Sequence, residues 1–380
     1  MYSTTVSVAR AQEYDAALLR ENIALHFEHL GGVSRFVKPG TRVLLKVNLL
    51  MARKPDAATT THPALVEALA KTLVEAGAAV TIADSPGGLY TEAALRKIYR
   101  VTGMEQAAAN AGARLNFDTG ADFKRHEEGK LCRNFHFIQP YFDADLVISV
   151  CKLKTHAMTT YTGAVKNMFG LVPGLEKPEF HFRFPERKNY CDMLVDLCDA
   201  ARPALAFMDA VVAMEGDGPS GGTPRGVGLT LASESPFALD LAAAAVVGLG
   251  PDQVPTLERA AQRGFAPADA GELTILGEPI SSVRVEGFQL PKSHDDITRF
   301  GRLPKFLNEP LRRYGAPRPV ISRAVCIGCG ACAESCPAKT IAIREKKAFI
   351  NYKNCIRCFC CQEMCPVRAI AIKKRKLFAL

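Results

Sequence analysis

The 380-residue sequence predicts an α/β fold, a mainly parallel sheet with flanking helices, followed by a small cysteine-rich unit. Three observations predict it. Segments over the first 290 residues read alternately as strand and helix, which is the pattern of a parallel sheet. One of the strands, ADLVISV at 144–150, has too few polar residues to face water and belongs at the sheet centre. Nine of the 13 cysteines fall in the last 60 residues.

The elements follow in order. TRVLLKVNLL (41–50) reads as a strand. THPALVEALAKTLVEAG then reads as a helix, with Thr61 as N-cap, Pro63 in the first turn and Gly77 as the C′ residue. AAVTIADSPGG is a strand running into a turn, and TEAALRKIYRVTGMEQAAANAG is helical. After ADLVISV come the helix YCDMLVDLCDAA and the strands ALAFMDAVVAM and GVGLTLAS. The helix PFALDLAAAAVVGLG and the strand ELTILG close the series. Residues 291–320 are mixed and proline-bearing and read as a connector, so the domains are 1–290, the connector 291–320, and 321–380 with a basic tail.

Cys326, Cys329, Cys332 and Cys336 are spaced C-x2-C-x2-C-x3-C-P, and Cys355, Cys358, Cys361 and Cys365 repeat the spacing 29 residues later. This is the signature of a bacterial-type ferredoxin with two [4Fe–4S] clusters, a small α+β unit. The fourth cysteine of each run serves the other cluster. Cluster one is therefore expected on Cys326, Cys329, Cys332 and Cys365, and cluster two on Cys355, Cys358, Cys361 and Cys336. A disulfide framework or zinc is disfavoured by the doubled run in a chain without a signal core. Cys360 is spare, and Cys132, Cys151, Cys191 and Cys198 read as small buried hydrophobes.

The net charge of +9 is local. Residues 321–380 hold 12 Lys+Arg against 3 Asp+Glu, while the other 320 residues hold 36 of each. Positive charge beside anionic clusters eases their reduction. The tail Lys373, Lys374, Arg375 and Lys376 reads as a solvated end or a dock for an acidic redox partner. With no Trp and 8% aromatic residues there is no stacking platform for nucleic acid. No apolar run approaches the roughly 18 residues of a membrane span, so a cytoplasmic protein is expected.

Open α/β sheets bind ligands beyond the carboxyl ends of their strands. Asn48 ends the first strand, Asp84, Ser85, Gly87 and Gly88 follow the next, and GDGPSGG with Glu215 and Asp217 follows ALAFMDAVVAM. Lys152, Lys154 and His156 follow ADLVISV and are the candidate catalytic residues. Asn48, Lys166, Asn167, Glu215 and Asp217 are the candidate substrate-binding residues. Lysines against apolar walls call for an anion. There is no G-x-G-x-x-G after a strand and no G-x-x-x-x-G-K-[ST], so Rossmann and P-loop nucleotide sites are unsupported.

KLKTHAMTTYTGAVKNMFGLVPG (152–174) and DAVVAMEGDGPSGGTPRG (209–226) resemble the DUF362 family, a domain of unknown function. The resemblance covers about residues 1–290. It implies redox work beside a fused ferredoxin and no particular substrate. The leading expectation is an iron–sulfur protein, and a possible oxidoreductase, whose clusters pass electrons to an anionic small molecule in the α/β domain. A further cofactor there is left open. One alternative is an electron carrier whose large domain docks a redox partner protein. Another is an accessory factor holding a metal or nucleotide, with Glu215, Asp217 and Asp209 on a cation.

Overall fold

The computed structural model describes residues 2–292 and 316–373. Most of the connector and the tail residues Lys374, Arg375 and Lys376 lie outside the described residues. The strands are β1 (Thr5–Arg10), β2 (Arg42–Val47), β3 (Ala79–Ala83), β4 (Arg114–Leu115), β5 (Ala121–Arg125), β6 (Asn134–Ile138), β7 (Leu146–His156), β8 (Thr160–Thr162), β9 (Leu205–Glu215), β10 (Thr223–Ser233) and β11 (Thr274–Gly277). The C-terminal unit adds β12 (Arg318–Ile321), β13 (Ile341–Arg344), β14 (Lys347–Ile350) and β15 (Ile370–Lys373). Nine strands form one sheet in the order β11-β1-β10-β9-β7-β2-β3-β4, with β8 hydrogen-bonded to β7.

The run β9-β7-β2-β3-β4 is parallel, as is the edge pair β1-β11. β10 lies antiparallel between β1 and β9, which makes the sheet mixed. β7 is central, and its apolar first half packs on both faces with Val147, Ile148 and Val150 all buried.

Three local expectations are corrected. The segment CKLKTH is not a loop after a strand: β7 runs on through His156, and β8 returns against it, pairing Lys154 with Thr162 and His156 with Thr160. Thr61 is not the N-cap of the helix Pro63–Glu75; His62 is, accepting from the N–H of Ala64. The Thr61 hydroxyl instead donates to the Val150 carbonyl at 2.8 Å, tying this loop to β7. The long helix after residue 91 is two, Glu92–Thr102 and Met104–Ala111, because Gly103 between them has φ +78°. β1 and the helix Ala16–His29 were not marked by the sequence reading; β1 enters as a short strand between β10 and β11.

The C-terminal unit is two antiparallel ladders, β12 with β15 and β13 with β14, and two single-turn helices, Ala331–Glu334 and Cys360–Glu363. Its first strand starts at Arg318, inside the stretch read as connector. It packs on the α/β domain through residues 362–366. Gln362 Nε2 donates to the Asp217 carbonyl at 3.0 Å, Ser220 Oγ to the Glu363 carbonyl at 2.7 Å, and Arg53 Nη2 to the Pro366 carbonyl at 2.9 Å. A Cβ on Gly87 would collide with the Met364 sulfur, so the glycine admits this close approach.

The nine-stranded sheet is complete by Gly277, and the buried members of its three apolar clusters that come later are Val283, Phe359 and Ile372. A chain ending at residue 290 is therefore expected to be soluble, iron-free and cooperatively folded. Loss of a cooperative thermal transition would mean that the C-terminal unit completes the core.

Candidate functional site

A buried lysine must find acceptors or lose its proton. Because side chains alternate along a strand, Lys152, Lys154 and His156 share one face of β7. All three are buried, yet their partners differ. Lys152 Nζ is 2.8 Å from both Asp209 Oδ2 and the Tyr14 hydroxyl. Asp209 also accepts from Tyr14 and from the N–H of His62, which closes a saturated network. Lys152 is thus an internal ion pair.

Lys154 Nζ has only neutral acceptors, Asn48 Oδ1 at 2.5 Å and the Thr59 carbonyl at 2.7 Å. Burial, with Lys166 and Lys152 nearby, lowers its pKa to about 7. His156 accepts from the N–H of Met158 at its Nδ1, so its proton sits on Nε2, which faces Glu363 Oε1 at 3.2 Å. Burial and Lys166 keep the ring neutral, with its pKa down to about 4. Burial alone would raise the Glu363 pKa, but His156, Lys166 and His181 hold it down to about 2.

Glu363 comes from the C-terminal unit and helps roof a cavity of about 90 Å3 between the two domains. Asn48, Asp84, Ser85, Lys166, Lys177 and His181 line its α/β side. Ser335, Cys360, Glu363 and Met364 line the other. Asp84 is committed to Lys46 at 2.6 Å, a pair that is fully buried. Asn167 holds the same lysine and donates to Ser149 and to the Lys46 carbonyl. Lys177 donates to Ser85 Oγ at 3.0 Å and the Val172 carbonyl at 2.6 Å, and burial lowers its pKa to about 7.

Lys166 Nζ has no hydrogen-bond or ion-pair partner among the described residues and lies 5.5 Å from the Phe169 ring centroid. His181 Nδ1 is buried and likewise unpartnered. Neither His181 nor Lys177 was singled out by sequence. Both sit on the short helix Glu176–Arg183, where no strand end marks them.

Two expected ligands lie elsewhere. Glu215 accepts from the N–H of Gln289, and Asp217 from the N–H and Nζ of Lys292, so both carboxylates fasten the chain leaving the α/β domain. With Asp209 on Lys152, the three acids do not gather around a cation. Among the described residues the one His/Cys/Asp/Glu group close enough to share an ion is His126, Glu128 and Asp199.

The eight cysteines of the two runs fall into two separate cavities. Cys326, Cys329, Cys332 and Cys365 line one, and Cys336, Cys355, Cys358 and Cys361 the other. Both are otherwise largely apolar, lined by residues such as Ile327, Ile343 and Val367 in the first and Ile341, Ile356 and Phe359 in the second. Backbone N–H groups point at three of the sulfurs: Ala348 at Cys326, Thr340 at Cys336 and Ala369 at Cys365, at 3.1–3.4 Å. Four thiols around each apolar hollow, with N–H donors behind them, fit an iron–sulfur cluster. Cys329 is exposed, whereas Cys360, beside the second set, is buried and reaches the interdomain cavity.

Two measurements probe the lysines. Asp209→Asn leaves Lys152 buried beside a neutral amide and is expected to cost about 3–5 kcal/mol. Lys166→Met should leave the melting temperature unchanged or raised; equal losses in both variants would make Lys166 part of a structural network too. The pH dependence follows from the lowered pKa values. Between about pH 7 and 10.5 the unfolded chain binds the protons that folded Lys154 and Lys177 release. Stability should therefore rise with pH across that window, by at most about 1.4 kcal/mol per pH unit for each lysine. Lys154→Met should flatten the slope in denaturant titrations at pH 7, 8 and 9.

Residues 43–245 match the family model described as a domain of unknown function, DUF362, and residues 318–366 match that of a 4Fe-4S dicluster domain. A thylakoid-associated protein of Synechocystis sp. is 35% identical over 317 residues, covering 82% of this chain and 94% of the relative. Among solved structures, the lactate racemase apoprotein of Thermoanaerobacterium thermosaccharolyticum aligns with a TM-score of 0.40 at 11% identity, over 61% of this chain and 54% of that one. A Thermotoga maritima protein aligns at 0.35 and 14%, over 57% and 55%. The chain spans about half the length of these two solved chains. Among the described residues no helix is long and apolar enough to cross a membrane.

Proposed function

Since the chain belongs to the DUF362 family and carries a 4Fe-4S dicluster domain with an electron-transfer role, we propose that it delivers electrons to a small anion bound in the interdomain cavity. The observation that carries this reading is the shared wall: Cys360, between the ligand cysteines Cys358 and Cys361, lines the same cavity as Lys166, Lys177 and His181. Two clusters, held as the cysteine cavities group them, would supply single electrons at that wall. The set containing the exposed Cys329 would face an electron donor, and the set behind Cys360 would face the cavity. Lys166 neutralises the bound anion. Lys177, whose pKa lies near 7, can give up a proton as charge accumulates. His156 and Lys154 act one layer back: His156 holds the roof through Glu363, and Lys154 orients Asn48. The roof keeps bulk water from the reaction.

The test is anaerobic. Reconstituted protein is expected to hold about eight iron and eight sulfide per chain. Cys336→Ala should cost the cluster held by Cys355, Cys358 and Cys361 and spare the other. Gly87→Leu wedges against Met364 and should keep both clusters reducible while slowing their re-oxidation by small-molecule acceptors. If Gly87→Leu and Lys166→Met both re-oxidise like the parent with every acceptor tried, the large domain is a docking module and the protein a carrier.

A further inference from the structure

His181 and Lys166 present an unusual pair of unused donors. Tyr190 is fully buried, and its hydroxyl lies 3.2 Å from His181 Nε2. A buried hydroxyl needs an acceptor, and among the described residues Nε2 is the one it has. With the hydroxyl as donor to Nε2 of the ring stacked on it, the proton of the neutral imidazole is assigned to Nδ1. His181 lines the cavity with its Nδ1 buried and without an acceptor, and Lys166 on the same lining has no hydrogen-bond or ion-pair partner among the described residues. Two residues with unused donors on the lining of one small space call for a ligand with two acceptor oxygens and one negative charge.

Phosphate fits less well. Its three or four oxygens and nearly two charges are normally met by a nest of backbone N–H groups. Here three of the loop N–H groups are spent within the protein: Ser85 on the Gly170 carbonyl, Gly87 on the Leu50 carbonyl, and Gly174 on Ser85 Oγ. Asp84 and Glu363 are also on the wall and would repel a second charge. Leu50, Phe169, Pro178 and Met364 form the apolar part of a lining that is otherwise polar or glycine, apart from Cys360. The cavity of about 90 Å3 holds roughly six to nine water-sized volumes, enough for a few carbon atoms and too little for a nucleotide or a flavin.

We infer that the cavity binds a small organic monocarboxylate, its two oxygens on Lys166 Nζ and His181 Nδ1 and its carbon skeleton against Leu50, Phe169, Pro178 and Met364. This deepens the redox reading of the same cavity and rests on it for the ligand's fate, not for its binding. Tyr190 acts as a positioning residue, because it sets which nitrogen of His181 carries the proton.

The experiment is anaerobic calorimetry and ligand-observed NMR on the cluster-loaded full-length protein, with acetate, propionate and pyruvate against inorganic phosphate and sulfate. At least one carboxylate is expected to bind, and phosphate and sulfate not to compete with it. Lys166→Met should weaken that binding by about tenfold or more, the loss of one charged hydrogen bond. Tyr190→Phe should weaken it severalfold with cluster content retained, because the freed ring can move its proton to Nε2; unchanged affinity in this variant would overturn the positioning role. Binding of phosphate or sulfate with the carboxylates silent overturns the carboxylate assignment while leaving the redox reading in place. Carboxylate binding undiminished in Lys166→Met, or no binding of any anion, overturns the site. Carboxylate binding with no effect of Lys166→Met on cluster re-oxidation leaves this inference standing and removes the redox reading.

Discussion

Four lysines and two histidines are drawn into the protein where β2 and β7 meet the C-terminal unit, and the arrangement of the whole site follows from how each meets its need for acceptors. Lys46 and Lys152 have carboxylates of their own, Asp84 and Asp209. Breaking such a pair is costly because it strands a charge away from water. Lys154 has only an amide and a carbonyl oxygen, and Lys166 has no polar partner among the described residues. The buried charge is therefore graded. It is saturated toward β9 and unsatisfied toward the interdomain cavity, which is where an outside anion would be most strongly held.

That gradient explains why the sequence was informative about the sheet and less so about the site. The apolar run 146–150 marks a central strand whatever follows it, and the strand is central. Where β7 stops depended on its partner. β8 returns from residue 160 and holds the lysines in extended backbone, and nothing in CKLKTH itself announces that return. Lys166 and Asn48 were legible as candidates because they lie close to strand ends, and both reach the cavity. Glu215 and Asp217 lie at an equally suggestive strand end. Their carboxylates point to the backbone of residues 289–292 instead, a long-range contact that spacing cannot reveal. His181, Lys177 and the roof residues were invisible for the same reason, since they meet the site only through tertiary packing.

Glycine makes that packing possible. The loop after β3 carries Gly87 under Met364, and Gly170 lies where any Cβ would run into Asp84 and Lys46. The first lets the C-terminal unit settle onto the sheet's carboxyl end, and the second lets the 168–171 turn cross directly over the buried ion pair. In the sequence both glycines look like ordinary turn residues. Their use becomes apparent only once the atoms opposite them are known.

The stretch from Cys358 to Cys365 joins these features. Cys358 and Cys361 belong to one cysteine cavity and Cys365 to the other, so this stretch is tied into both. Four of the residues between them face the other way. Cys360 and Met364 close the cavity, Gln362 grips the Asp217 carbonyl, and Glu363 meets His156. A single turn of helix, Cys360–Glu363, sets the directions of all four. The backbone of the roof is continuous with residues that carry sulfurs of both sets. Eight residues therefore hold the cysteines and shape the space beyond them. This is why the interdomain cavity, rather than the saturated Lys152 network farther along the sheet, is the place where electron delivery and ligand binding can meet.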